Sequence, residues 1–401
     1  MMKWLLPESV ADALPDEAAR LEVLRRRLLD LCAAHGYELV QPPLIEYLES
    51  LLTGAGRELD LRTFKLVDQD TGRSLGVRAD MTAQVARIDA HLLNRPGVVR
   101  LCYCDSVLHA QPADMQASRQ PFQLGAELYG YADLAADMEI VRLAAATLKT
   151  VGAPAARIDL GHMGIFRTLM TLAGISGEGE EHFFRLLQRK DIPALEAETA
   201  DWRSDLRDAI LAMPRLYGDR NILETARRIL PKVPAIHKAL DDLETVLDRA
   251  ADLPLYLDLS DLRGYHYHSG IVFAAYCPGY TAAMVLGGRY DGIGAAFGRA
   301  RPATGFSLDL RELCRLANVA TAQAAIFAPA LPDSAASVEV AARAKAIATL
   351  RELGERVIDA LPGEQLRAAS GQIVYSGAVC DRQLMQQAGQ WVVQSVAQPV
   401  A

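Results

Sequence analysis

Residues 253–276 read LPLYLDLSDLRGYHYHSGIVFAAY. The apolar patterns on either side of its polar centre predict strands, and a strand pattern returns in YTAAMVLGGRYDGIGAAFG, residues 280–298. Between the strands an arginine precedes two tyrosines and two histidines. His266 and His268 are two apart, so an extended backbone points both to one face. Three chemistries use such a cluster: a metal centre, a proton-transfer pair, or the wall of a pocket for a polar small molecule. No cysteine or carboxylate group with ligand spacing accompanies the histidines, which makes a metal centre the weaker reading.

The block before it, from about 165 to 253, is helix after helix, as in EEHFFRLLQRK, SDLRDAILAM and AIHKALDDLETVLDRAADL. Further back, DEAARLEVLRRRLLDLCAAHGYELVQPPLIEYLESLL predicts an amphipathic helix ending near His35-Gly36, then a strand and a Pro-Pro break. Residues 63–78 predict a hairpin around Asp70-Thr71-Gly72. MTAQVARIDAHLL predicts a helix, GVVRLCYCDSVLHA and RQPFQLGAELYGY extended runs, and LAADMEIVRLAAATLKTVG a strong helix. Downstream, ATGFSLDLRELCRLA reads as strand into helix, and a βαβ-like tail follows. Antiparallel strands with helices around them, a helical insertion and a small α/β tail make an α+β plan. The expected division is a core over 1–322, with the insertion at about 165–253, and a C-terminal domain over 323–401.

The chain has 401 residues, 51% hydrophobic and 23% charged, a globular balance with room for two or three domains. A formal net charge of −8 argues against a large nucleic-acid surface, which needs clustered Lys and Arg. Cys32, Cys102, Cys104, Cys277, Cys314 and Cys380 form no CxxC pair, which points to a reduced cytoplasmic interior rather than a disulfide framework. Cys102 and Cys104 read as buried strand thiols. MMKWLLPESVADALPDEAAR is not a secretory signal, and no segment is long enough to span a membrane.

LGGRYDGI, residues 286–293, lacks both the GxxxxGK[ST] spacing of a phosphate loop and the strand-then-helix context of a dinucleotide fingerprint. Paired glycines in a strand pattern mark either a close approach to the backbone or a bulge. Taken in order, GYELVQPPLIEYLE, RADMT, RQPFQLGAELYG, RGYHYHSG, GGRYDGI and GFSLDL resemble the catalytic core of histidyl-tRNA synthetase, a class II aminoacyl-tRNA synthetase. The resemblance covers roughly residues 1–320 and places the helical block where that family carries its insertion. RGYHYHSG beside GGRYDGI is similar to the two histidine-specific motifs of the family. The implied fold is a class II synthetase-like antiparallel sheet flanked by helices, with a reduced, anticodon-binding-like tail.

The amino-acid half of the implied site matches. By resemblance, Asp80, Thr82 and Gln123 face a histidine ammonium, Arg263 its carboxylate, and Glu127 with Tyr267 its imidazole. His268 stands where the family has a second tyrosine. Each residue has a structural alternative when taken singly: Asp80 as a helix N-cap, Glu127 paired with an arginine such as Arg119, Tyr267 in the core.

The ATP half departs. His109 stands at the motif 2 arginine and Gln111 at its glutamate, and the loop PADMQAS carries no positive charge. GFSLDLREL ends with Arg311 and Glu312, the reverse of the family's Glu-Arg. Adenylate formation needs cations held on phosphate oxygens. A histidine near its reference pKa of about 6.5 is mostly neutral at pH 7 and lacks the guanidinium fork. A carboxylate at 312 repels a triphosphate.

A synthetase core that keeps its histidine pocket and loses its grip on ATP is similar to the regulatory-subunit family of ATP phosphoribosyltransferase. RADMT and RQPFQLGAE are close to that family's wording of the two motifs. The resemblance implies no catalytic residue, no cofactor and no metal. It implies a homodimer core joined to the short catalytic subunit in a hetero-octamer that makes phosphoribosyl-ATP, the first step of histidine biosynthesis. L-histidine is the implied feedback ligand, with no tRNA and no membrane. The alternative is an active histidyl-tRNA synthetase.

Overall fold

The computed structural model describes residues 5–53, 57–112, 117–153, 157–262, 268–280, 282–317, 324–369, 372–375 and 378–396. It forms two compact units, Met1–Val319 and Ala320–Ala401. In the first, Pro15 opens helix α1 (Pro15–Ala34) where a missing N–H costs nothing, and Asp16 and Glu17 face its positive end. Gly36, at φ +83°, follows its end. Leu24, Leu28 and Cys32 fall on its buried stripe.

The chain continues through β1 (Glu38–Leu39), β2 (Ile45–Tyr47), α2 (Leu48–Leu51), α3 (Arg57–Arg62), β3 (Phe64–Val67), β4 (Ser74–Val77) and α4 (Thr82–Arg87). The strand expected in YELVQPPL is reduced to the two residues of β1, because Pro42 and Pro43 have no N–H for a ladder. The helix expected over MTAQVARIDAHLL is α only to Arg87 and widens to a π-helical turn over Ile88–Leu93. β5 (Val99–Ser106), β6 (Phe122–Tyr129), α5 (Leu134–Thr150) and β7 (Arg157–His162) follow.

Then come α6 (Met163–Ala173), α7 (Glu178–Gln188), α8 (Ile192–Glu198), α9 (Ser204–Ala212), the short strand β8 (Tyr217–Gly218), α10 (Ile222–Ile229) and α11 (Pro234–Arg249). Leu187, Ile210, Leu240 and Leu243 from this block join the same buried cluster as Leu24 and Ile140, so it packs onto the sheet. β9 (Leu255–Asp258), β10 (Ile271–Tyr276), β11 (Val285–Arg289) and β12 (Ala303–Asp309) complete the sheet, and β12 runs into α12 (Leu310–Leu316).

The nine strands stand in the order β1-β5-β6-β12-β11-β10-β7-β9-β8. All neighbours are antiparallel except β1 with β5 and β7 with β9. Alternation along β5 explains why both sheet faces are covered. Cys102 and Cys104 join the cluster of α1 and α5, whereas Leu101 and Tyr103 join that of α4. Along β6, Leu124, Ala126 and Leu128 take the first face, which turns Gln123 and Glu127 to the second. A separate three-stranded sheet, β2-β4-β3, leaves Ile45, Leu66 and Val67 exposed.

The second unit contains β13 (Ala325–Ala328), α13 (Ser337–Glu352), β14 (Val357–Asp359), β15 (Arg367–Ala369), β16 (Gln372–Tyr375), β17 (Ala378–Gln387) and β18 (Gln390–Ser395). β13 pairs in parallel with β14 and β17, and α13 packs on the sheet through Ile347.

Candidate ligand-binding site

β6 and β12 lie side by side with Glu127 opposite Gly305. A Cβ at 305 would stand 1.6 Å from Glu127 Oε2, so glycine leaves the space that the carboxyl occupies. Gly125 does the same for Tyr103, whose hydroxyl would be 2.3 Å from an added Cβ. The Tyr103 hydroxyl donates to Glu127 Oε1 at 2.9 Å, and the Thr82 hydroxyl donates to the same oxygen at 3.2 Å. The Tyr290 hydroxyl donates to Oε2. Burial, opposed by these hydroxyl donors, pushes the Glu127 carboxyl up to about 8.

Asp80 lies just before α4. Its Oδ1 accepts the Thr82 N–H at 2.7 Å, and its Oδ2 accepts from Gln123 Nε2 at 2.7 Å. Gln123 Oε1 in turn accepts the Met81 N–H at 3.1 Å. Asp80 is therefore both an acceptor at the helix start and a carboxylate held by an amide on β6. Gln123, expected at a ligand ammonium, has its amide on Asp80.

Asp80, Thr82, Glu127, His268 and Tyr290 border one cavity of about 120 Å³, a volume for one small polar molecule rather than a nucleotide. Four of the expected residues thus converge, and Gln123 stands behind Asp80. Arg263 and Tyr267 lie outside the described residues, as does His266. Sequence reasoning missed Tyr103 and Tyr290. The period-two alternation of β5 was a usable signal for the first, and the position directly after Gly-Gly-Arg for the second. Arg119, the alternative partner of Glu127, donates from Nε to the His109 carbonyl at 3.0 Å instead.

The close approach to the paired glycines comes from the chain itself. A Cβ on Gly287 would meet the Phe273 ring at 2.5 Å, and one on Gly288 would stand 3.0 Å from His268 Nδ1. Arg289, which follows them, is ion-paired with buried Asp137 at 2.6 Å. A larger cavity of about 640 Å³ is bordered by His162, Asp242 and, from the motifs, Ser269, Gly270, Arg289 and Asp291, and its motif arginine is the one paired with Asp137. Among the described residues no group of three His, Cys, Asp or Glu side chains is placed to hold a metal ion. All six cysteines are free and buried.

Residues 9–313 match the family model for histidyl-tRNA synthetase. Residues 323–394 match the model for the C-terminal domain of ATP phosphoribosyltransferase subunit HisZ. The ATP phosphoribosyltransferase regulatory subunit of Azoarcus sp. (strain BH72) is 54% identical over 393 residues, 98% of this chain and 99% of that protein. That of Ralstonia pickettii (strain 12J) is 52% identical over 392 residues, 97% of each. The chain belongs to the family of ATP phosphoribosyltransferase regulatory subunits. In fold it is similar to an ATP phosphoribosyltransferase regulatory subunit/histidyl-tRNA synthetase from Bacillus halodurans, with a TM-score of 0.79 and 26% identity over 90% of this chain and 94% of that one. Histidyl-tRNA synthetase from Nostoc sp. PCC 7120, at 19% identity, shares the fold with a TM-score of 0.74 over 91% of this chain and 88% of that one.

As a member of the regulatory-subunit family the chain is non-catalytic and serves histidine biosynthesis, and its ATP half shows the physical side of that. The ring of His109 is buried against Arg62, whose Nη2 lies 3.2 and 3.0 Å from its two nitrogens. Burial and then the Arg62 cation push His109 down to about 4, so the ring is neutral at pH 7. The Arg311 guanidinium is turned to the amino-terminal segment. It pairs with Glu17 at 2.5 Å and donates to the Ala11 and Asp12 carbonyls at 2.8 and 3.0 Å. Glu312 pairs with Arg315 at 2.8 Å. Neither position where a synthetase presents its motif arginine offers a cation to a triphosphate. Of the uncharged-to-acidic loop PADMQAS, residues 113–116 lie outside the described residues.

Proposed function

We propose that this regulatory subunit assembles with a short-form ATP phosphoribosyltransferase catalytic subunit for the first step of histidine biosynthesis and carries feedback by L-histidine. The observation that supports this is a small pocket with amino-acid-binding chemistry, together with His109 and Glu312 at positions where a synthetase carries its motif arginines. Asp80 and Thr82 suit an ammonium, and Glu127 and His268 suit an imidazole. Arg263 takes the carboxylate and Tyr267 the ring, by their match to the family motif. Coupling is reciprocal: whatever histidine does to the partner's state, the partner does to histidine affinity.

The subunit's core is a homodimer closed by a two-fold axis, and the full complex a cytoplasmic hetero-octamer without tRNA. Exposed Leu39, Ile45, Leu66 and Val67 on β1 and the three-stranded sheet favour the dimer. No helix among the described residues is long and apolar enough to cross a membrane. The decisive experiment is co-purification with the short catalytic subunit, followed by phosphoribosyl-ATP formation with and without histidine. A stable complex whose activity falls with histidine is expected. No association, or a complex indifferent to histidine, overturns the reading.

A further inference from the structure

His268 stands where the synthetase family carries a tyrosine. A tyrosine hydroxyl can donate or accept a hydrogen bond, but this histidine has no such choice. Its Nδ1 lies 3.3 Å from the Arg289 carbonyl oxygen, which only accepts, so Nδ1 carries the hydrogen. Burial lowers the ring to about 4, so it is neutral and Nε2 is a lone pair. No described residue donates to that nitrogen. The ring borders the same cavity as Glu127 and stands 6.3 Å from the ring of Tyr290, whose hydroxyl is on Glu127. The residues bordering this pocket therefore include one with an acceptor-only nitrogen and one whose carboxyl already receives hydroxyl hydrogens.

We propose that His268 selects the ligand by accepting a hydrogen bond from a ring N–H, and that Glu127 and the ligand's second ring nitrogen share one proton. The ligand class is an azole amino acid with one ring N–H and one further basic ring nitrogen, which rests on the reading of this pocket as a histidine site. A bare carboxylate facing a bare ring nitrogen is repulsive, and one proton between them resolves it. Protonated carboxyl with neutral imidazole, and carboxylate with imidazolium, hold the same number of protons.

With Glu127 held up at about 8, the empty pocket carries that proton below pH 8 and takes it from solvent on binding above pH 8. The other groups facing this pair do not replace it. Asp80, before α4, raises Glu127 further. Tyr103 of β5, Tyr129 of β6 and Tyr290 after β11 are all pushed above their usual range by burial. The Arg289 guanidinium is turned to Asp137, and Arg167 of α6 donates to the His268 carbonyl at 3.1 Å.

Calorimetry on the full chain tests both parts. L-3-(4-thiazolyl)alanine has a ring nitrogen but no ring N–H. It is expected to bind about ten- to a hundredfold more weakly than L-histidine, because it leaves buried Nε2 unpaired. His268→Tyr supplies a hydroxyl that can donate, so the ratio of the two affinities should narrow; the ratio is the readout, not either affinity. Between pH 7 and 9 the wild-type affinity for histidine should fall relative to that of Glu127→Gln, whose amide donates at every pH. Comparing the two at each pH cancels ionisation of the ligand's own ammonium. Equal binding of both ligands by the wild type, or an unchanged ratio in His268→Tyr, overturns the role of His268. Parallel pH curves for the wild type and Glu127→Gln overturn the shared proton. Absence of histidine binding by the wild type overturns the pocket reading itself.

Discussion

Glu127 is a buried carboxyl held by hydroxyls, and that has a consequence for stability. Its folded pKa of about 8 lies above the ordinary 4.5. Between those values the folded chain binds a proton that the unfolded chain has released, so stability from this group falls as pH rises through the window. His109 and His268 act in the opposite sense. Their folded values of about 4 lie below 6.5, so their contribution is present above pH 6.5 and is lost as pH falls toward 4. Glu127→Gln removes the first effect and leaves the second. Its thermal midpoint should lose less than the wild type's between pH 6 and 8.5, with a gain on the order of 2 kcal/mol at the upper end. Parallel melting curves would count against the buried neutral carboxyl. Glu127→Ala and Arg263→Ala should each cost about 2–5 kcal/mol of histidine binding by calorimetry in folded dimers. In the assembled enzyme they should blunt histidine inhibition and keep activation of the catalytic subunit.

At the scale of elements, the site depends on strands that approach without side chains between them. Gly305→Ala places a methyl in the space of the Glu127 carboxyl and 2.7 Å from the Ala126 carbonyl oxygen. Overpacking of this kind costs about 1–3 kcal/mol. The variant should melt earlier with unchanged far-ultraviolet dichroism, and histidine binding should vanish by calorimetry. At the start of α12, Arg311 anchors Ala11, Asp12 and Glu17 rather than a nucleotide. Exchanging the pair, with Arg311→Glu and Glu312→Arg together, restores the synthetase order but leaves neutral His109 at motif 2. Histidine-dependent ATP–pyrophosphate exchange should stay absent, and the amino-terminal segment should gain amide hydrogen exchange. A measurable exchange activity in that variant would show that motif 3 alone had silenced the site.

At the scale of the molecule, the wild-type chain should neither catalyse ATP–pyrophosphate exchange nor charge tRNA, and should be a dimer at micromolar concentration by light scattering. Ile45→Glu puts a charge on the exposed apolar face of β2 and should weaken the dimer by at least about tenfold, read by analytical ultracentrifugation. An unaffected dimer would place the two-fold interface elsewhere.

The helices, the hairpin of β3 and β4 and the α/β tail were legible in the sequence, because each repeats its buried face within a short stretch, at 3.6 or 2 residues. So were the substitutions at His109, Arg311 and Glu312, since motif order assigns a position without coordinates. Asp80, Thr82, Glu127 and His268 were legible as a set for the same reason. Their partners were not. Tyr290 meets Glu127 across 163 residues, Gln123 meets Asp80 across 43, and Arg311 meets Glu17 across 294. Such pairs depend on strand register and on the space a glycine leaves over the next strand, and neither leaves a local period. The sequence by itself set out Asp80, Thr82, Glu127 and His268 in motif order, and His109, Arg311 and Glu312 where a synthetase's motifs differ. Only the tertiary structure decided that the Gln123 amide is on Asp80, that Glu127 receives hydroxyls, and that the His268 ring lies against the Arg289 carbonyl, because those outcomes are distances between elements remote along the chain.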